Sequence, residues 1–278
     1  MNMTGLALGL LAVLLAHTAS AEDMKPLRIA TEGAFPPWNA VDTAGQPVGF
    51  DIDVGRAVCE RAKLTCTFVT QAWDGIIPGL VVGKYDAVMA GMSITEKRKQ
   101  VIAFSEPYAL TSNYFVVQKS ASLPVLDTAA RIDLSAETAD GKRMLDALKT
   151  AMKGKAIGVQ GSTNAEAFVR QYFGGEADIR TYDKQDNLNL DLLAGRIDAG
   201  LADFSVLKAF LDSKEGQGSM LYGPRISGGL FGPGVGIGLR KDEADRKAAL
   251  DAAIRSITAD GTLKALSMKW FGADLVSR

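Results

Sequence analysis

Asp86-Ala87-Val88-Met89-Ala90-Gly91-Met92-Ser93-Ile94-Thr95-Glu96-Lys97-Arg98 is the stretch whose reading decides the fold. It opens as an apolar, strand-like run and passes through small residues that leave the backbone accessible. It then turns polar and enters a helix, with Thr95 as a cap three residues before Arg98 and Glu96 in the first turn. Such a turn gathers free N–H groups, the Ser93 hydroxyl and a guanidinium in one small volume. Helix N-termini attract anions and Arg can hold a carboxylate in a two-pronged fork, so the stretch suits a small carboxylate. A plain strand-to-helix connection with Arg98 on a solvated face fits the same residues, and the rest of the chain has to decide between them.

Upstream, Leu27 to Thr31 alternates as a strand, and the prolines of Phe35-Pro36-Pro37-Trp38-Asn39 force an extended loop. Phe50 to Ala62 reads as a helix with Asp51 and Asp53 in its first turn, and Thr65 to Thr70 as the next strand. Trp73 lies in a short loop before a helix over Gly75 to Val82, and Tyr85 to Ala90 is a third strand. This order calls for a parallel, doubly wound sheet. Downstream, Tyr114 to Gln118 is a strand, Ala121 to Ala136 is irregular, and Gly141 to Met152 is an amphipathic helix. The alternation restarts at Lys155 with strands at Ala156 to Val159, Ile179 to Tyr182 and Ala199 to Ala202, so a second lobe with its own sheet is expected. Gly223 to Gly236 punctuates the pattern, Val235 to Leu239 is strand-like, and two helices lie between Glu243 and Lys269.

The expected fold is α/β, with two doubly wound lobes joined by two hinge strands. Residues 1–21 read as a signal peptide, 22–113 as the first part of lobe one, 114–222 as lobe two, and 223–278 as the hinge return and the rest of lobe one. Ligands of such sheets sit at the carboxyl ends of the strands, here in the cleft between lobes.

Composition narrows the function. The 278 residues are 47% hydrophobic and 23% charged, ordinary values for a globular chain. Lys+Arg 31 against Asp+Glu 32 gives a net charge of -1 and no electrostatic footprint for nucleic acid or an anionic membrane. The apolar run Gly5 to Ala16 before Ala19-Ser20-Ala21 reads as a secretory signal cleaved after Ala21, although no Lys or Arg precedes it. The lone histidine, His17, falls inside it, which disfavours Ser/His catalysis and histidine-ligated metal. No cofactor or metal is expected. Cys59 and Cys66 are expected to pair as a disulfide in an exported chain.

Three groups fall on strand ends facing the expected cleft: Ser93 with Arg98 (flanked by Ala90, Gly91 and Met92), the turn Gly161-Ser162-Thr163, and Asp203. The first two suit a carboxylate and Asp203 an ammonium, which together describe an α-amino acid. Asp203, Ser162 and Thr163 serve equally well as helix caps. Phe35 and Trp73 could flank an elongated side chain, with cation–π gain for a basic one, or be core. Glu32, ending the first strand, could meet a distal cation or sit in solvent. Gly232-Pro233-Gly234-Val235-Gly236-Ile237-Gly238 imitates a dinucleotide loop but leads into a strand, and Gly154-Lys155 precedes a strand, so neither is a phosphate site.

Gly49-Phe50-Asp51-Ile52-Asp53, Ser93-Ile94-Thr95-Glu96-Lys97-Arg98, Phe104-Ser105-Glu106-Pro107-Tyr108, Gly195-Arg196-Ile197-Asp198-Ala199 and Lys269-Trp270-Phe271-Gly272 form a specific set. On these motifs the chain resembles the family 3 extracellular solute-binding proteins of bacterial ABC importers, and within them the basic amino acid and opine (octopine, nopaline) binders. The resemblance implies the type II periplasmic-binding fold and a ligand gripped by hinge closure. It gives the α-carboxylate to Arg98, Ser93 and Thr163, the ammonium to Asp203, the side chain to Phe35 and Trp73, and its far end to Glu32. The spacing of Cys59 and Cys66 also matches the disulfide of the basic amino acid members. Gly91 stands where basic amino acid binders carry Ser, which opens space where an opine carries its added carboxylated arm; Asp203 would repel that arm. The implied partners are a basic amino acid or opine and an inner-membrane permease, for a protein expected to be monomeric. The rival expectations are a dehydratase of the cyclohexadienyl type on the same fold, working through Glu32 or Asp203, and a ligand-sensing module for a signalling receptor.

Overall fold

The computed structural model describes residues 26–276. The expected signal peptide and His17 lie outside the described residues. Strands β1 (Leu27–Thr31), β2 (Ala34–Phe35), β3 (Asn39–Val41) and β4 (Pro47–Val48) precede helix α1 (Phe50–Arg61). Next come β5 (Cys66–Thr70), α2 (Ile76–Val81), β6 (Ala87–Val88), α3 (Glu96–Lys99) and β7 (Ala103–Phe104). The second lobe is built from β8 (Asn113–Gln118), β9 (Arg131–Asp133), α4 (Ala139–Met152), β10 (Ala156–Gln160), α5 (Asn164–Phe173) and β11 (Asp178–Tyr182). It continues with α6 (Gln185–Leu193), β12 (Ala199–Asp203), α7 (Phe204–Asp212) and β13 (Ser219–Ser227). The chain then returns through β14 (Gly238–Leu239), α8 (Ala244–Ala259) and α9 (Thr262–Phe271) to the first lobe.

The first sheet has the order β5-β1-β6-β14-β7, with β1, β5 and β6 parallel and the returning β14 antiparallel to both neighbours. Alternation along β1 sends Leu27 and Ile29 to one face, against Phe50, Val54, Ile254 and Leu263 of α1, α8 and α9. Ala30 goes to the other, with Ile76 and Leu80 of α2. Helix α1 starts at Gly49, whose φ of 128° and close approach to the Trp38 carbonyl leave no room for a Cβ. Cys59 and Cys66 are bonded and staple the end of α1 to the start of β5.

The second sheet has the order β11-β10-β12-β8-β13-β9. Phe115, Val117, Ile157 and Val159 face α4 and α5, through Leu148, Phe168, Val169 and Phe173. Tyr114 and Val116 face the other way, onto Leu188 and Leu192 of α6 and Leu207 of α7. Truncating a fully buried aromatic such as Phe168 to Ala would cost about 3–5 kcal/mol.

Two stretches read as irregular are strands. β9 lies within 121–136, and β13 runs straight through Gly223-Pro224. The ladder between β13 and β8 slips between Tyr222 and Ile226, and that bulge is where a strand tolerates a proline. Both returning strands, β8 and β14, are antiparallel to their neighbours, so the sheets are mixed.

Two chain crossings join the lobes, around 110–113 and 228–237, and they touch. The Val235 N–H donates to the Ala109 carbonyl at 2.8 Å, and the Ile94 N–H donates to the Gly234 carbonyl at 2.8 Å. The glycine-rich run that imitates a nucleotide loop therefore lets a backbone lie flat against the segment carrying Ser93. Among the described residues no helix is long and apolar enough to cross a membrane.

Candidate functional site

Between the lobes lies a cavity walled by the carboxyl ends of β1, β10 and β12 and by the segment after β6. Arg98 sits in the middle of α3, whose first free N–H groups are met by Thr95: its hydroxyl accepts from the Arg98 N–H at 3.3 Å. The guanidinium is buried, with Trp73 stacked against it at 5.1 Å, and it donates to the Ser93 carbonyl at 2.9 Å. No carboxylate of the described residues pairs with it. Burial draws its pKa down to about 10, so it stays charged at neutral pH.

Glu32 is the converse. It is buried at the end of β1, accepts from the Gln160 amide at 2.7 Å, and no ion pair holds it among the described residues. Loss of hydration lifts its carboxyl to about 7, against the pull of Gln160 and Lys184. Asp203 ends β12 and caps α7: Oδ1 accepts from the Ser205 N–H at 2.8 Å, from the Ser205 hydroxyl, and from the Trp38 indole at 3.3 Å. Burial again raises its pKa. Its Oδ2 has no protein donor among the described residues.

Of the residues expected at the site, Glu32, Phe35, Trp73, Ala90 and Gly91 line the cavity, as do Ser93, Arg98, Thr163 and Asp203. Met92, Gly161 and Ser162 do not. Met92 is wholly buried and packs into the core with Ile102 and Phe104, because side chains alternate along this extended segment. The Gly161 N–H is taken by the Tyr182 carbonyl at 2.8 Å and the Ser162 N–H by the Glu166 carboxylate at 2.7 Å, so neither of these two N–H groups is free for a ligand. Thr163 caps α5, its hydroxyl accepting from the Glu166 N–H at 3.1 Å.

Sequence reasoning missed Gln160, Asn164, Gln185, Thr111 and Asn113, all on the wall. Gln160 ends β10 at the same level as Asp203 ends β12, a strand-end position that could have flagged it. Thr111 and Asn113 lie on the first crossing, and the Thr111 hydroxyl and Trp73 indole N–H are buried without a partner among the described residues. A side chain at Gly91 would press on Phe35 and Trp38 at 3.3 Å, and its φ of 58° disfavours one in any case.

The lobes are closed on each other. Asn164 donates to the Ser93 hydroxyl at 2.9 Å, Gln160 to Glu32, the Trp38 indole to Ser205 Oγ at 2.8 Å, and Arg98 to the Ser162 carbonyl at 3.5 Å. Each bond runs from one lobe to the other.

Residues 27–273 match the family described as bacterial extracellular solute-binding proteins, family 3. The chain belongs to that family. Among its relatives is the octopine-binding periplasmic protein of Rhizobium meliloti, 38% identical with 94% of each chain covered. The L-arginine-binding protein of Pseudomonas aeruginosa is 35% identical over 95% of this chain and 94% of its own. A periplasmic His/Glu/Gln/Arg/opine family-binding protein from Silicibacter pomeroyi, solved with lysine, has a TM-score of 0.73 and 31% identity, over 91% of this chain and 100% of that one. The first and third of these are periplasmic binding proteins by name, and the third shares the two-lobed fold.

Proposed function

We propose that this chain is the periplasmic substrate-binding component of an importer, that it takes a basic amino acid between its lobes, and that it presents the closed form to a membrane permease. The observation that carries the reading is the charge pattern of one cavity: a buried guanidinium without an anion, and two carboxylates, Glu32 buried and Asp203 half-buried, without a cation among the described residues. Burying unpaired charges costs several kcal/mol each, so the cavity is complete only with a ligand that supplies one carboxylate and two cations. Arginine, lysine and ornithine have that pattern. The α-carboxylate goes to Arg98 with the Ser93 hydroxyl, the α-ammonium to Asp203 Oδ2, and the distal cation to Glu32 between the faces of Phe35 and Trp73.

A second reading, an opine conjugate, is supported by the adjacent Ala90 and Gly91 on the wall, which leave the ligand's amino end uncrowded, and by the octopine-binding relative. A thermal-shift and calorimetry screen of arginine, ornithine, lysine, histidine, octopine and nopaline tests both, since a ligand of the closed form raises the melting temperature by mass action. Tight binding of arginine or ornithine supports the first reading and preference for octopine or nopaline the second. No response to any of the six, or binding of a neutral sugar, refutes both.

A further inference from the structure

The ligand reading uses neither acid of the Gly49-Phe50-Asp51-Ile52-Asp53 motif. Asp53 is spent on the surface, accepting from Lys269 at 2.7 Å and the Trp270 indole at 2.9 Å. Asp51 is different. An acid in the first turn of a helix ordinarily faces water; Asp51 is fully buried and no cation of the described residues pairs with it. Its carboxylate accepts three hydrogen bonds, each from another part of the lobe. The Tyr108 hydroxyl donates to Oδ1 at 2.7 Å; the Asn39 amide at 3.0 Å and the Gly91 N–H at 2.8 Å donate to Oδ2. Asn39 uses its own oxygen to accept the Gly33 N–H at 2.7 Å.

These links end at the cavity and at the hinge. Gly91 is on the cavity wall, and Gly33 follows Glu32, which is on it too. Both glycines hold left-handed backbones, φ 58° and 74°, that an anchored N–H helps to fix. Tyr108 donates its own N–H to the Val235 carbonyl at 2.9 Å, in the second crossing between lobes. We infer that Asp51 is a positioning residue of the ligand site. It holds the Gly91 and Glu32–Gly33 segments in register with each other, so that the first-lobe half of the cavity keeps its shape when the second lobe closes. This inference rests on the proposed ligand site for its binding readout, but not for its structural one.

The test compares Asp51→Ala, Asn39→Ala and Tyr108→Phe in the full chain, with arginine and octopine as probes and amide hydrogen exchange of Gly33 and Gly91 in the unliganded protein. Asp51→Ala is expected to weaken binding of whichever probe the parent takes by at least about tenfold and to unprotect both amides, the scale set by leaving buried donors unpaired. Asn39→Ala is expected to unprotect Gly33 and leave Gly91 protected. Tyr108→Phe removes a bond from the same carboxylate but frees neither segment, so stability falls while affinity stays within about twofold. If Asp51→Ala fails to fold, Asn39→Ala against Tyr108→Phe decides. Equal losses of affinity in those two, or unchanged exchange at Gly33 in Asn39→Ala, overturn the inference. Failure of the parent to bind either probe counts against the proposed function, and the exchange measurements still decide the role of Asp51.

Discussion

The two lobes build their halves of the cavity in different ways. In the first lobe, Arg98 and Glu32 are buried charges whose bonds among the described residues are to neutral groups. In the second, Asp203 and Thr163 reach the same cavity while also capping α7 and α5. A group that holds a helix end is kept in place with or without a ligand, and part of its hydrogen-bonding capacity is already used. A buried, unpaired charge has no such second job. The first lobe should therefore carry most of the ligand's binding energy, with the second adding its share on closure.

The largest effect expected is at Arg98. Arg98→Ala should weaken arginine binding at least about a hundredfold, because a desolvated carboxylate loses its charge-assisted partner. Calorimetry showing near-normal affinity would break the asymmetry between lobes at its strongest point. Asp203→Asn comes next, and is designed to separate the two jobs of that residue. Asn is as good a helix cap as Asp, so the fold should hold, while the ammonium loses its counter-charge at a cost of about 2 kcal/mol, or some thirtyfold in affinity. A loss equal to that of Arg98→Ala would mean the lobes share the ligand evenly.

The asymmetry also explains what was legible in the sequence. The strand-to-helix passage through Ser93 and Arg98 is a local motif, and its geometry follows from pattern and capping alone. Met92 faces the core rather than the cavity, and the signal for that was present: alternation through Gly91, Met92 and Ser93 turns the middle side chain inward. Gly161 and Ser162 lie off the cavity wall with their N–H groups engaged, and the partners of those groups, the Tyr182 carbonyl and the Glu166 side chain, are set by the packing of α5 and β11. Gln160 and Asn164 owe their place at the cavity to lobe closure, which brings them to Glu32 and Ser93 across more than seventy residues of chain. Strand β13 hid behind Gly223-Pro224, whose local preference is overridden by a bulge against β8.

The mildest expected effect is a pH dependence, and it bears on which half of the cavity reads the ligand's far end. Burial lifts Glu32 from its ordinary 4.5 to about 7, whereas an arriving distal cation favours the ionised form. Ionisation of the empty site must therefore precede or accompany binding, and affinity for arginine should rise with pH, by about tenfold between pH 6 and pH 8, with proton release on binding below pH 7. Stability of the unliganded closed form should run the opposite way. A carboxyl whose folded pKa is raised holds its proton better than the unfolded chain does, so stability is gained as pH falls from about 7 towards about 4.5. Glu32→Gln should flatten the affinity profile and leave the fold intact, since an amide still meets Gln160. A profile as steep in Glu32→Gln as in the parent would move the titration to Asp203 in the second lobe, and with it the reading of the ligand's basic end.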